Sequence, residues 1–414
     1  MDDSPSALNQ FAAGMRIIVA GAGIAGLSFV IALRKQRLTS CTHITVTVYE
    51  RDPREVSIER EGYSLSIRSD GLSGGMQALN KLGLLDSMPA ASYTGSQGNA
   101  GGFTLWDKDW NEIMKMKSSP IEGLPAPSMR IARNVLRRML VDAVSSEDTI
   151  HWMTTCTGVA QLPSGKVQVQ LSNGQVDDCD LLVAADGAHS RIRSILRPDD
   201  NLSFAAAVCI AGNSRFLSGV PEPVNRDWGC VLSGNGTGLF VSPVDQHSAV
   251  WSVSYLAEEP RKRMKPPLSN QDIDCLIRES LDRGKSFAQP FRTLVQATDP
   301  STLMVLNAVD KQPFSHAGRN QKPVSVVFIG DSNHAVSPFA GNGANMALMD
   351  GWELAEQICK SNSLPDALAA YDASSMPRSK STVRMSHWSI ALAHAQGWKL
   401  TLYIYLLRLV KLFF

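Results

Sequence analysis

The 414-residue sequence has few of the features that mark several large classes of protein. Its seven cysteines include no C-x-x-C pair, so neither a zinc site nor a disulfide framework is indicated. With 40 basic and 39 acidic residues the formal net charge is +1, which offers no electrostatic reason to expect a nucleic acid partner. No segment reaches the ~20 apolar residues that a membrane-spanning helix needs.

The composition that remains is that of a globular protein, with 44% hydrophobic and 19% charged residues. The amino terminus is acidic where a secretory signal would be basic, and the cysteines suit a reducing compartment. We therefore expect a cytoplasmic monomer whose partner is a small molecule. No metal site and no acid–base residue of its own is assigned.

A strand and turn near the start of the chain organise the rest. The apolar strand that ends at Ala20 leads into a G-x-G-x-x-G spacing and then an apolar helix. The residues of this turn are Gly21, Gly23, Ile24, Ala25 and Gly26. Such glycines allow a tight turn, a close approach of the backbone to a pyrophosphate, and close packing of the helix on the strand. The pattern predicts a dinucleotide site.

A second β-branched run ends at Glu50, where a carboxylate can accept hydrogen bonds from a ribose hydroxyl. Arg51 follows directly and is a candidate for a phosphate of a second nucleotide, with a solvated surface charge as the alternative. Arg133 precedes an amphipathic helix and is either a surface charge or a cofactor ligand.

Two more buried strands end in acids. The first ends at Asp186-Gly187, which is either a ligand contact or a plain turn. The second ends at Gly330-Asp331, and the helix after it begins near Gly341 and Gly343. Its unpaired amides and dipole can face the negative charge of a reduced flavin.

The stretch from Phe204 to Phe314 alternates like β-strands and is interpreted as a sheet that closes a pocket. Strands 238–242 and 249–255 are expected to pair, with Trp251, Val253 and Tyr255 on one face. Phe240, Trp251, Tyr255 and Phe339 are the candidate substrate contacts, although such aromatic residues more often belong to a core.

The three motifs in this order resemble those of the single-component FAD-dependent aromatic hydroxylases of the para-hydroxybenzoate hydroxylase fold. The run Pro338-Phe-Ala-Gly-Asn-Gly-Ala-Asn345 and the order Tyr49-Glu50-Arg51-Asp52 look most like tetracycline-inactivating monooxygenases and fungal natural-product monooxygenases. The resemblance covers residues 15–200 and 325–360 well. It departs from the usual pattern at Asn333 and Asn342, neither of which removes a group that the chemistry requires.

The resemblance implies a role for each matching residue. Glu50 would bind the adenosine ribose, Asp331 the ribityl or pyrophosphate part, and Arg133 would lie along the FAD. Asp186-Gly187 would brace the FAD and the incoming nicotinamide nucleotide. The residues that would line the flavin ring are Pro338, Gly341, Gly343, Ala344 and Asn345.

The implied fold is α/β, a Rossmann-like FAD-binding domain with an inserted sheet-rich substrate domain and a C-terminal helix. The predicted division is a flexible tail (1–14), an FAD-binding domain (15–88, 128–200 and 323–375), a substrate domain (89–127 and 201–322) and a helical region (376–414). The helix over Leu400–Phe414 either packs across the domains or touches a membrane surface.

The implied activity is that of an FAD-dependent monooxygenase. NADPH or NADH would reduce the FAD, and O2 would form a flavin C4a-hydroperoxide that oxidises an aromatic or prenylated substrate. Two alternatives share the same motifs: an FAD reductase or dehydrogenase that does not activate oxygen, and a flavin-bearing binding protein.

Overall fold

The computed structural model describes residues 14–40, 44–55, 64–88, 102–116, 121–264, 267–316 and 325–413. The predicted tail therefore lies outside the described residues except for Gly14. The described strands are β1 (Arg16–Ala20), β2 (Thr45–Tyr49), β3 (Ser64–Arg68), β4 (Phe103–Asp107), β5 (Glu112–Met116), β6 (Ser128–Ala132), β7 (Thr149–His151), β8 (Cys156–Gln161), β9 (Val167–Leu171), β10 (Val176–Cys179), β11 (Leu181–Ala184), β12 (Ser203–Arg215), β13 (Trp228–Leu232), β14 (Thr237–Pro243), β15 (Ser248–Leu256), β16 (Met304–Asp310) and β17 (Val326–Phe328).

The described helices fall into an early group and a long carboxyl-terminal group. They are α1 (Ile24–Ser40), α2 (Gly75–Leu82), α3 (Arg133–Ala143), α4 (Arg191–Leu196), α5 (Asn270–Arg283), α6 (Phe291–Gln296), α7 (Asp331–His334), α8 (Gly343–Lys360), α9 (Leu364–Ala393) and α10 (Trp398–Phe413). Short 3-10 turns lie at Leu85–Ser87, Pro300–Thr302 and Pro338–Ala340.

The first sheet is parallel and has five strands in the order β17-β11-β1-β2-β7. Its central strand is buried on both faces, as expected for a parallel sheet covered on each side. Ile17 and Val19 pack with α1 and α8, while Ile18 packs with the antiparallel sheet of β8, β9 and β10. Close approach of α1 to α8 depends on Gly351, since a Cβ there would lie 2.5 Å from the Phe29 nitrogen.

The second large sheet has seven strands in the order β16-β12-β15-β14-β13-β4-β5. All its pairings are antiparallel except that of β13 with β4, which is parallel. The expected pairing of strands 238–242 and 249–255 is confirmed as β14 with β15. One face of this sheet is covered by α5 and α6 through Leu276, Phe291 and Leu294.

A long helix joins the two halves of the molecule. Helix α9 has 30 residues, begins at a Ser363 cap whose hydroxyl accepts from the Asp366 amide, and contacts α8 in its first part. Its last turns pack on the seven-stranded sheet through Ile390 and Leu392. The face of the seven-stranded sheet that α5 and α6 leave uncovered lines one cavity together with the carboxyl ends of the parallel strands.

Candidate active site

The glycine turn between β1 and α1 is shaped by backbone contacts. Gly21 has φ +112, and a Cβ there would lie 2.5 Å from the Ala185 carbonyl oxygen. A Cβ on Gly26 would lie 2.1 Å from the Gly21 oxygen, so this glycine lets the helix pack on its own turn. Gly23 is different, because a Cβ there would meet no atom within 4 Å. The turn thus has an open cradle over Gly23.

Glu50 fastens the end of β2 to this turn. Its carboxylate is buried and accepts hydrogen bonds from the Ala22 amide at 2.6 Å and the Asp52 amide at 2.9 Å. A carboxylate has about four lone-pair sites, so oxygen acceptors remain for a ligand hydroxyl. Arg51 points outward beside Asp52 with its side chain 65% exposed.

The opposite side of the turn carries Asp331, Arg133 and Gly187, all of which line the cavity. Burial raises the pKa of Asp331, while the positive charges of His334 and Arg133 partly oppose that rise. Asp331 begins α7 directly after Gly330, at the carboxyl end of the parallel sheet. This is the edge at which open α/β sheets bind ligands.

Asp186 is a mixed case. One carboxylate oxygen accepts from the amides of Arg191 and Ile192 at 2.8 and 3.2 Å, which caps α4. The other oxygen is buried and has no partner among the described residues. Burial raises the pKa of this carboxyl. The cap of α4 therefore explains the position of one oxygen, while the second oxygen is buried with no hydrogen bond recorded in the described residues.

The start of α8 forms the next wall. Gly341 has φ +58, and Gly343 begins the helix without a side-chain cap, so its first amides are left for a ligand. Pro338, Gly341, Gly343 and Ala344 line the cavity. Asn345 does not, because its side chain accepts from the Arg68 amide at 2.9 Å and donates to the Ser66 carbonyl at 2.8 Å. Its side chain fixes β3 against α8.

Beneath this wall lies a buried charge cluster. Asp350 accepts from the Gly330 amide at 2.9 Å, from His334 Nε2 at 2.5 Å and from Arg378 Nη2 at 3.0 Å. Burial alone would raise the pKa of Asp350, but His334 and Arg378 hold it well below its usual range. Burial opposes the charged form of His334, yet Asp350 raises the pKa of His334 overall. The cluster fixes the loop that carries Asp331.

The glycine turn, Asp331 with Arg133 and Gly187, and the start of α8 all line one cavity of about 2280 Å³. Pockets for single drug-sized ligands are roughly 300–1,000 Å³, so there is room for a large cofactor and a second molecule. Its far wall is the seven-stranded sheet together with the end of α9. Residues on that wall include Phe103, Cys209, Asn213, Trp228, Phe240, Ser252, Ser254, Trp388 and Leu392.

Comparison with known proteins agrees with this geometry. Residues 15–386 match the family described as the FAD binding domain. A monooxygenase of Aspergillus candidus, cfoF, is 41% identical over 396 residues, which cover 93% of each chain. The chain belongs to the FAD-dependent monooxygenases.

Solved structures share the fold of this monooxygenase. Klebsiella pneumoniae HpxO, complexed with FAD and uric acid, aligns with a TM-score of 0.76 at 22% identity, covering 96% of this chain and 94% of that one. The tetracycline destructase Tet(51) aligns with a TM-score of 0.63 at 17% identity and covers 91% of each chain. The family resemblance and the fold class stated from the sequence are both confirmed.

The residues of the monooxygenase fit an FAD group. The open cradle over Gly23 lies at the start of α1, where a phosphate can accept backbone hydrogen bonds. The uncapped start of α8 provides backbone donors further along the same cavity.

The four candidate substrate residues of the monooxygenase separate into two pairs. Phe240 and Phe339 line the cavity, and the Phe339 ring contacts His394 at 5.7 Å between centroids. Trp251 and Tyr255 do not line it, which corrects that expectation. Trp251 is fully buried under α5 and α6 and donates to Thr298 at 2.9 Å, while Tyr255 lies under the Arg283 guanidinium.

Trp251→Phe should therefore lower stability and leave ligand binding unchanged. Loss of the indole hydrogen bond and some packing volume is expected to cost about 2 kcal/mol of unfolding free energy. Urea unfolding would be measured together with the affinity for an aromatic ligand of the cavity. Phe240→Leu is the opposite control, because Phe240 lines the cavity and its replacement should change that affinity. A change in affinity without a loss of stability in Trp251→Phe would contradict this assignment.

Several cavity residues of the monooxygenase were missed from the sequence. Trp228 and Phe103 come together because β13 pairs with β4 in parallel, and their rings meet edge to face at 5.0 Å. Arg130 lies in mid-strand on β6 and stacks on Trp228. A single arginine in a short strand gives no sequence signal that separates it from a surface charge.

Proposed function

We propose that the enzyme uses NADPH or NADH and O2 to hydroxylate or epoxidise an electron-rich aromatic or prenylated small molecule. The observation that carries the proposal is the continuity of the cavity from the Gly23 cradle to the aromatic wall of Phe240 and Trp228. A cofactor and a substrate held in one cavity can react without leaving it. For hydroxylation, substrate, O2, NAD(P)H and a proton give product, NAD(P)+ and water.

The cofactor half of the cavity would be used as follows. The turn at Gly23 would hold the pyrophosphate, Glu50 the adenosine ribose, and Asp331 the ribityl chain or pyrophosphate, with Arg133 alongside. When bound and reduced, FAD supplies the activation of O2. The uncapped start of α8 at Gly343 would stabilise negative charge on the ring, because a helix amino terminus carries partial positive charge.

The substrate half would position the ring and exclude water. Leu105, Cys230 and Leu392 supply apolar surface there, and Phe240 and Trp228 supply aromatic faces. An apolar enclosure strengthens the electrostatic interactions inside it and protects a reactive oxygen donor from side reactions.

The hydride donor would approach from outside. Arg51 is exposed beside the ribose acid, and a guanidinium suits the 2′-phosphate of NADPH. Asp186 and Gly187 would brace both nucleotides. Because the contact would be transient, it needs no second glycine turn.

The proposal is tested by adding NADPH or NADH to the FAD-loaded protein in air, with a panel of aromatic, indole and prenylated compounds. We expect NAD(P)H consumption to rise at least tenfold with one class of compound. Consumption that no compound stimulates, with reduced flavin persisting in air, would favour the reductase alternative. A flavin that resists reduction by both nucleotides would favour the binding-protein alternative.

We also infer that α10 makes a peripheral contact with a membrane surface. One face of this helix packs on β4 and β5 through Leu400, Tyr403 and Leu407. Its other face exposes Trp398, Leu402 and Tyr405. No helix among the described residues is long and apolar enough to cross a membrane. Weaker flotation of Leu402→Glu/Tyr405→Glu with anionic lipid vesicles is expected, and unchanged flotation would exclude the contact.

A further inference from the structure

Arg130 is a buried cation in the wall of the cavity. Its residue is 7% exposed, and the side chain crosses from β6 to the seven-stranded sheet. Its Nη2 donates to the Ser64 carbonyl at 3.1 Å, and its Nε has no partner in the described part of the chain. A guanidinium has five N–H donors, and contacts within the described part of the chain use only one of them.

Two other cations that line the cavity have carboxylate partners. Lys115 pairs with Asp227 at 2.7 Å, and Arg68 pairs with Asp70 at 2.8 Å. Among the described residues no carboxylate forms an ion pair with Arg130. Burial lowers the pKa of Arg130 to about 9, which still leaves the group charged at neutral pH.

An unpaired buried charge is costly, and the structure compensates for it only in part. The Arg130 carbon Cζ lies 4.8 Å from the centroid of the Trp228 ring and 6.0 Å from that of Phe240. These aromatic faces stabilise the positive charge, but the N–H donors that lie in the plane of the guanidinium gain no hydrogen-bond acceptor from them. What the site lacks is an anionic oxygen.

We propose that Arg130 binds an anionic oxygen of the substrate, a carboxylate or an ionised phenol, while the substrate's aromatic ring lies against Trp228 and Phe240. This rests on the proposed function for the presence of a substrate in the cavity. The Arg130 guanidinium meets the seven-stranded sheet at Trp228 and Phe240, whereas the phosphate cradle at Gly23 lies at the end of the parallel sheet. It would therefore select substrates and leave FAD affinity unchanged.

The chain offers a matched control in Arg137. This residue is also 7% exposed, stacks on an indole (Trp152, 5.4 Å), and donates one bond to a backbone carbonyl (Arg54, 2.8 Å). It does not line the cavity. Arg130→Met and Arg137→Met should thus carry similar structural costs, and only the first should alter ligand binding.

The test is equilibrium dialysis of FAD-loaded protein with 2-naphthoate and its neutral analogue 2-naphthamide. We expect the native chain and Arg137→Met to bind naphthoate at least tenfold more tightly than naphthamide. Arg130→Met should lose this preference and keep its naphthamide affinity. A second arm uses 4-nitrophenol, whose bound ionisation is read by absorption: in the native chain its pKa should fall by one unit or more, and in Arg130→Met it should not.

A response in either arm supports the site, and the arm that responds tells carboxylate from phenolate. Equal affinities of the native chain for naphthoate and naphthamide, with no shift for nitrophenol, would overturn the proposal even if Arg130→Met did not fold. Loss of FAD from Arg130→Met but not from Arg137→Met would overturn it too, since the residue would then serve the cofactor. None of these readouts needs turnover. Failure of this proposal can therefore be told apart from failure of the proposed function, which is tested by NAD(P)H consumption.

Discussion

Gly23→Ala is expected to weaken FAD binding about 100-fold while the protein remains folded. The added methyl group meets no protein atom within 4 Å, and the backbone of Gly23 is not in the left-handed region, so the native chain accepts it. It occupies the cradle where a phosphate would approach the amides at the start of α1. Loss of one or two charge-assisted hydrogen bonds of about 1.5–3 kcal/mol each corresponds to that change in affinity.

The measurement is a titration of FAD fluorescence with flavin-free protein. Gly71→Ala adds a methyl group elsewhere in the lining of the same cavity, also with open space and no left-handed backbone, so it tests whether the effect belongs to Gly23: FAD affinity should fall less in Gly71→Ala. Gly26→Ala is the opposite control: its methyl would lie 2.1 Å from the Gly21 oxygen, so we expect it to disrupt folding. Native FAD affinity in Gly23→Ala would show that the phosphates bind elsewhere.

Asp350→Asn is expected to cost about 3–5 kcal/mol of unfolding free energy, the usual cost of breaking a buried ion pair. The amide leaves His334 and Arg378 buried without their shared carboxylate and weakens the anchor of Gly330. Urea unfolding followed by tryptophan fluorescence measures the loss. Glu356→Gln on the same helix removes an exposed pair with Lys360 and should cost less than about 0.5 kcal/mol.

The loss should also depend on pH. The depressed pKa of Asp350 means that its contribution is present above the unfolded value near 3.9 and is lost as pH falls through the folded value. The raised pKa of His334 means that its contribution is full below about 6.5 and is lost as pH rises through the folded value. The deficit of Asp350→Asn should therefore be largest between about pH 4 and 6.5. A deficit that does not vary with pH would contradict the charged pair.

The glycine turn after β1 and the position of Glu50 beside it could be predicted because their constraints are local. The spacing of Gly21, Gly23 and Gly26 and an acid at the end of the next strand leave few alternatives for the backbone. Alternation likewise predicted that Trp251 and Tyr255 share a face of β15. It could not tell which face meets the cavity, since that depends on α5 and α6 covering the other one.

The aromatic wall of the cavity depends on contacts between distant parts of the chain. Trp228 reaches Phe103 only through the parallel pairing of β13 with β4, more than one hundred residues earlier in sequence. Arg130 stands out from a surface arginine only once the structure shows that it is buried and that no carboxylate in the described residues pairs with it. Asn345 shows the reverse case: the sequence predicts it beside the flavin ring, and in the structure its side chain holds β3.

The central claim is that this cavity transfers one atom of O2 to a substrate beside FAD. The most direct test takes the compound that best stimulates NAD(P)H consumption and repeats the reaction under ¹⁸O2, with mass spectrometry of the product. We predict that the product carries one ¹⁸O atom and that unlabelled water contributes none. An unlabelled product, or oxygen consumption recovered wholly as hydrogen peroxide, would contradict the account.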